Sequence, residues 1–254
     1  MRRPIAAANW KMAMTISESQ AFVRRLEPAL GPWLDVMDIV LCPPFTAIWA
    51  VKQARTDGRI QLGGQNMADS NDPARMGQVS AGLLLDAGCH WVVLGHWEVR
   101  RYLGDDDAAV HRKLRLALDA GLRPILLVGE ARDQSEPAEF ALERQLTRIV
   151  EGCTRSEVGR MVFVYEPEGS IGAPAPASVR YIAAGCGYLR EWLRRGFGEA
   201  AEEARIMYGG SVSPESVPEI LAVPDVDGTG GTRRGRDVDS FMGIVRQVAL
   251  SRGV

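Results

Sequence analysis

Short apolar runs alternate with amphipathic stretches along the whole chain. Ile5–Asn9, Met37–Cys42, Arg59–Gly63, His90–Gly95, Pro124–Val128, Met161–Tyr165 and Arg205–Tyr208 each read as a strand that is apolar at almost every position. Apolarity on both faces is the mark of a parallel sheet covered on two sides. Between these runs, helical spacing predicts helices over Ser17–Leu30, from a Thr46 cap toward Arg55, and from Ser80 to Asp86. It predicts others from Asp105-Asp106-Asp107 to Ala120-Gly121, and over Glu136–Glu151, Ser178–Arg195, Ser216–Leu221 and Asp237–Ser251. Val226-Asp227-Gly228-Thr229-Gly230-Gly231 stands where an eighth strand belongs, although its pattern is weak. No linker, low-complexity tract or charge block divides the chain, so residues 1–254 are expected to form one domain of the α/β class. A doubly wound open sheet and a closed (β/α)8 barrel both fit the alternation. Eight units in 254 residues favour the barrel.

In a parallel barrel the working residues sit at the C-terminal ends of the strands. Those ends carry Asn9, Lys11, His96, Glu98, Glu130, Glu166 and Ser211. Glu166 closes an apolar run, is followed by Pro167, and leads into a loop bearing Gly169 and Gly172. A carboxylate at a strand end below a glycine-bearing loop suits a general base under a lid; taken alone it reads better as a salt-bridge partner, and the rest of the chain reverses that. His96 alone reads better as a hydrogen-bonded core histidine; beside Glu166 and Lys11 at three strand ends, catalysis is the better reading. His90 and His111 lack that context and are expected to be structural, as is Glu130. Asp105-Asp106-Asp107 reads as helix capping, and Trp10 and Met12 as packing residues.

Composition narrows the field. A net charge of -2 argues against a nucleic-acid or membrane surface. The four cysteines are scattered, with no C-x-x-C pair and no histidine at metal spacing, so no metal site is expected and the thiols read as buried and reduced. The apolar stretch after Met1-Arg2-Arg3-Pro4 is too short for a signal peptide, and no run approaches a membrane span, so the expected location is the cytoplasm. Lysine occurs only at positions 11, 52 and 113 in a chain otherwise served by arginine. A compact ammonium at Lys11 therefore suggests that a point charge is needed there.

Ten short pieces, in order and at strand ends, resemble the triosephosphate isomerase family over essentially the whole chain. They are Asn9-Trp10-Lys11-Met12, Cys42-Pro43-Pro44, Gln65-Asn66-Met67, Leu94-Gly95-His96, Glu98, Val128-Gly129-Glu130, Tyr165-Glu166-Pro167, Ile171-Gly172, Tyr208–Val212 and Asp225–Gly228. The resemblance implies a TIM barrel and a cofactor-free aldose–ketose isomerase of a small phosphorylated sugar. The implied reaction is the glycolytic and gluconeogenic interconversion of dihydroxyacetone phosphate and glyceraldehyde 3-phosphate. It further implies Glu166 as base, His96 as neutral electrophile, Lys11 as substrate-holding cation, Asn9 as orienter of the substrate oxygens and Glu98 as support for Lys11. Phosphate would lie on Gly172, Ser211 and the turn at Thr232 and Arg233, and a homodimer would form through the 65–79 loop.

Several positions depart from the family pattern. Trp97 replaces the usual serine and Val99 the usual arginine; Gln78 and Met76 replace the glutamate and threonine of the interface loop. Both ends of one ionic contact are thus gone together, so a more apolar dimer contact is expected. Glu168-Gly169 replaces a Val-Trp hinge, and Gly230 replaces a leucine that clamps the base. These changes imply a wider, wetter pocket, slower turnover of a triose or room for a fourth carbon. The Pro-Ala-Ser lid continuation and the Thr232-Arg233 turn resemble the tetrulose-phosphate branch, of the L-erythrulose 1-phosphate type. A barrel that binds a phosphorylated metabolite with weakened turnover is the remaining alternative.

Overall fold

In the computed structural model, which describes residues 2–231 and 233–254, the strands close into a parallel barrel in sequence order. The eight strands are β1 (Ile5–Asn9), β2 (Asp38–Cys42), β3 (Ile60–Gly64), β4 (Trp91–Leu94), β5 (Arg123–Val128), β6 (Val162–Tyr165), β7 (Arg205–Tyr208) and β8 (Gly228–Gly231). The helices are α1 (Ile16–Leu30), α2 (Ile48–Ala54), α3 (Ala81–Ala87), α4 (Trp97–Leu103), α5 (Asp107–Ala120), α6 (Ala138–Ile149), α7 (Arg155–Gly159), α8 (Val179–Phe197), α9 (Val217–Leu221) and α10 (Val238–Ser251). The expected (β/α)8 TIM barrel is therefore the observed architecture.

Two buried apolar clusters explain why the strands lack polar alternation. Ile5, Val40, Trp91, Val93, Ile125, Leu127, Val164 and Met207 fill the inside of the barrel. Their neighbours in sequence, among them Ala6, Ile39, Val92, Leu126 and Phe163, face the helices and join a second cluster with Phe22, Leu26, Leu114 and Phe241. Most strands thus present both of their faces to apolar surface.

β8 completes the ring although it reads Gly-Thr-Gly-Gly. It pairs with β1 through Ile5↔Gly228 and with β7 through Tyr208↔Thr229. A Cβ at Gly228 would run into the carbonyl of Ile5, so the absence of side chains is what lets the last strand approach the first.

The N-terminal end of the barrel is closed by charge. Asp38 accepts from Arg205 at 2.6 Å and from Arg3 at 2.9 Å, and Arg123 stacks 4.0 Å over the Trp91 ring. Asp227 accepts from Arg2 at 2.7 Å and from the amide of Ile206 at 2.8 Å, and lies 3.4 Å from the fully buried Arg190. Burial pushes the Asp38 carboxyl up, but the Arg205 and Arg3 guanidiniums more than offset it and hold it below its ordinary value.

Some local readings are corrected by the structure. α1 begins one residue early because Thr15 and Glu18 form a reciprocal capping box. Thr46 caps nothing; it lies inside a 3₁₀ turn, Phe45–Ala47, that precedes α2. Of the three consecutive aspartates, only Asp106 caps α5, while Asp105 pairs with the buried Lys113 and Asp107 with Arg100. Trp10 is buried and donates to the carbonyl of Gly235 at 2.8 Å, as packing requires. Met12 does not pack: it is 99% exposed.

Candidate active site

The C-terminal ends of β1, β4 and β6 bring Lys11, His96 and Glu166 to one rim. Asn9 ends β1 and turns the chain: its Oδ1 accepts from the amide of Lys11 at 2.9 Å. Lys11 takes φ +52°, a left-handed conformation that costs a side-chain-bearing residue free energy. Gln65 helps to hold it there, donating to the Lys11 carbonyl at 2.8 Å. The ammonium then lies 2.7 Å from Glu98 Oε1, in a partly exposed pair.

His96 is the N-cap of α4, and this fixes its tautomer. Its Nδ1 accepts from the amide of Glu98 at 3.1 Å, so in the neutral ring the proton resides on Nε2. Nε2 is buried without a hydrogen-bond partner among the described residues, and it faces Glu166 Oε2 at 3.6 Å. Burial pushes the imidazole down to about 3, with the Lys11 ammonium adding to the effect. The ring is therefore neutral at neutral pH.

Glu166 follows β6, its amide donating to the Val128 carbonyl at 2.9 Å. Burial pushes its carboxyl up to about 8; Lys11 opposes this and Glu98 adds to it. A carboxylate this basic is matched to proton abstraction near neutral pH.

Asn9, His96, Glu166, Tyr208 and Gly210 line one cavity of ≈ 60 Å³ with apolar side chains from the barrel interior. Gly210 also borders a second cavity, of ≈ 270 Å³, lined by Gly172, Ser211, Arg233 and Arg234. Three of the four expected phosphate residues, Gly172, Ser211 and Arg233, thus meet around one space beside the reactive groups; Thr232 lies outside the described residues. Gly172 has φ +74°, and the position a Cβ would take is 3.9 Å from Arg233 Nη2. The Ser211 amide is already engaged, donating to the Ser170 carbonyl at 3.2 Å.

The loop after Glu166 is folded over the site. Ser211 Oγ donates to the Ala173 carbonyl at 2.6 Å, and Tyr208 Oη accepts from the Ala177 amide at 2.9 Å. At its base Glu168 is buried and pairs with Arg101 at 2.7 Å. Glu130 lies beneath, accepting from Tyr181 at 2.7 Å and Tyr165 at 3.1 Å.

A Cβ at Gly230 would sit 2.8 Å from the Ala7 carbonyl and 3.7 Å from the Met207 methyl, so a larger residue there would require its neighbours to shift. Trp97 stacks beside His96 at 6.1 Å between ring centres and shields it from the side. Sequence reasoning missed Arg101, and it placed Gln65 in a family motif without giving it its contact to Lys11. Among the described residues no group of three or more His, Cys, Asp or Glu side chains is placed to hold a metal ion.

A buried carboxyl, a neutral imidazole and an ammonium meet at the mouth of a parallel barrel, beside a cavity lined by Gly172, Ser211 and Arg233. Comparison with known proteins supplies the class. Residues 4–248 match the family model described as Triosephosphate isomerase. Triosephosphate isomerase of Symbiobacterium thermophilum is 41% identical over 260 residues, covering 99% of each chain. The proteins of that name from Carboxydothermus hydrogenoformans and Chloroflexus aurantiacus are each 38% identical, covering 97% and 96% of this chain and 99% of their own. The chain belongs to the triosephosphate isomerase family, whose members are aldose–ketose isomerases.

Proposed function

We propose that this chain, acting as one domain over residues 1–254, interconverts dihydroxyacetone phosphate and glyceraldehyde 3-phosphate without a cofactor. The observation that carries the reading is the facing pair of Glu166 Oε2 and His96 Nε2, 3.6 Å apart at the wall of a small cavity. Glu166 removes a proton from the carbon beside the carbonyl. The electron pair of that C–H bond becomes the carbon–carbon π bond of an enediolate, and the carbonyl oxygen takes up the charge. His96 gives its Nε2 proton to that oxygen, which becomes the new hydroxyl, while the Lys11 ammonium stabilises the charge, and the imidazole nitrogen recovers a proton from the hydroxyl on the adjacent carbon. Glu166 then delivers its proton to the former carbonyl carbon, and the oxygen that lost its proton becomes the new carbonyl. Asn9 supports the reaction by holding Lys11 in its strained turn, and Glu98 by holding the ammonium.

Phosphate fits the cavity bordered by Gly172, Ser211 and Arg233, one wall away from the reactive carbons. The relatives quoted are all named for a triose, which supports that substrate over a tetrulose phosphate. The test is kcat/KM on triose and tetrulose phosphates with the same preparation. A higher value for the triose supports the reading. A higher value for the tetrulose redirects it, and the absence of exchange at the α carbon of either substrate makes the chain a binder.

A homodimer through the 65–79 loop belongs to the same reading. Met76 in that loop is 97% exposed, and Met12 and Leu103 also stand open to solvent, a set of apolar side chains suited to a partner surface. Light scattering should give twice the chain mass, and Met76→Glu should give the single-chain mass. Among the described residues no helix is long and apolar enough to cross a membrane. The proposed reaction on water-borne sugar phosphates belongs in the cytoplasm.

A further inference from the structure

We propose that Glu168 and Arg101 form an ionic latch that closes the 168–178 segment over the site and keeps Glu166 aimed at His96. Both are thereby positioning residues of the isomerisation; the inference rests on Glu166 being the base.

Glu168 is two residues beyond Glu166, joined through Pro167, whose ring fixes φ at −61°. The setting of residue 168 is thus passed to the strand end with little slack. Glu168 is only 6% exposed. Its carboxylate is held by Arg101 Nη2 at 2.7 Å and by the amide of Arg132 at 3.2 Å, and its own amide donates to the Glu130 carbonyl at 3.1 Å. Arg132 Nη2 adds contacts to the carbonyls of Glu168 at 3.4 Å and Ile171 at 3.2 Å.

Arg101 comes from α4. That one helix is capped by His96, holds Glu98 against Lys11 in its first turn and presents Arg101 to the lid. The electrophile, the partner of the substrate-holding cation and the lid's anchor therefore share a single rigid element. At the far end of the lid the tethers are neutral hydrogen bonds, from Ser211 Oγ and to Tyr208 Oη. Among the described residues the Arg101–Glu168 pair is the lid's only salt bridge to the rest of the barrel.

An ionic contact suits a closing device. Burying Glu168 costs desolvation free energy, and pairing with Arg101 offsets it, so the closed and open states stay near balance. Arg101 is half exposed, 50% for its side chain, which leaves the pair open to screening by salt. A hydrophobic hinge would have neither property.

The test is steady-state kinetics of the full chain at saturating triose phosphate. It compares the parent, Glu168→Gln, Arg101→Gln and the double variant across ionic strength, with inorganic phosphate release measured alongside. Loss of the latch should lower kcat roughly tenfold while KM changes by less than about twofold, because closure limits the committed steps more than binding. Phosphate lost by elimination from a poorly shielded enediolate should rise per turnover, which partial unfolding does not produce. The double variant should be no worse than either single one, and added salt should lower kcat in the parent but not in the variants. Arg101→Gln alters a half-exposed side chain and carries the test if Glu168→Gln does not fold. Parent-like kcat and phosphate release in folded Arg101→Gln overturn the latch. If Glu166→Gln proves fully active, it is the assignment of the base that fails instead.

Discussion

His96 Nε2 lies 3.6 Å from Glu166 Oε2, and no described residue offers that nitrogen a hydrogen bond. A buried donor without an acceptor is costly and rare in a core that exists only for packing. Here the two groups lie side by side in the wall of one cavity. Their protonation states are set in opposite directions by the same burial: the imidazole is pushed down to about 3 and the carboxyl up to about 8.

The imidazole should therefore stay neutral, with its proton on Nε2, throughout the working range. Nitrogen-detected NMR of the side chain should show no titration of His96 between pH 5 and pH 9. Because its folded value is depressed below the ordinary 6.5, the stability it contributes is present above that value and is lost as pH falls toward 3. A His96 titration near 6.5 would contradict the assigned hydrogen bond from Glu98.

Glu166 has the opposite sign. Its folded value is raised, so the protonated form is favoured in the fold between about 4.5 and 8, and stability declines as pH rises through that window. Glu166→Gln keeps the shape and removes the charge. Its advantage in Tm over the parent should grow from pH 4.5 to 8 and level off above, measured by thermal unfolding across pH. A constant difference would mean that the carboxyl is not perturbed.

Asp227 is a structural counterpart at the other end of the barrel. Replacing it with alanine strips Arg190 of one carboxylate partner and frees the amide of Ile206. Breaking a buried charge pair costs about 3–5 kcal/mol, so Asp227→Ala should lower the unfolding free energy by about that amount in urea titrations. A change below about 1 kcal/mol would place the charge balance elsewhere in the network.

The barrel was legible because parallel strands buried on both faces leave long apolar runs, and the strand-end polar residues stood out against them. β8 was nearly invisible, since its glycines serve the close approach to β1 and carry no apolar signal. α4 went unseen for a different reason: none of its residues is fully buried, so it has no apolar stripe for periodicity to find. That gap hid the Arg101–Glu168 pair, and Glu168 read as a lost hinge when it is a buried, paired acid. α7 was also missed, although Thr154 and Glu157 spell a capping box that could have revealed it. Lys11, His96 and Glu166 were readable in position from the strand-end pattern, whereas the neutrality of His96 came only from the family resemblance, because it depends on burial that no linear pattern displays.

The most direct measurement is hydrogen exchange between solvent and the α carbon of dihydroxyacetone phosphate, followed by NMR for the parent chain and Glu166→Gln. With Glu166 as the base, the variant should exchange about 10²–10⁴-fold more slowly while remaining folded and able to bind the phosphate ester. Exchange at the parent rate in the folded variant would contradict the assignment of Glu166.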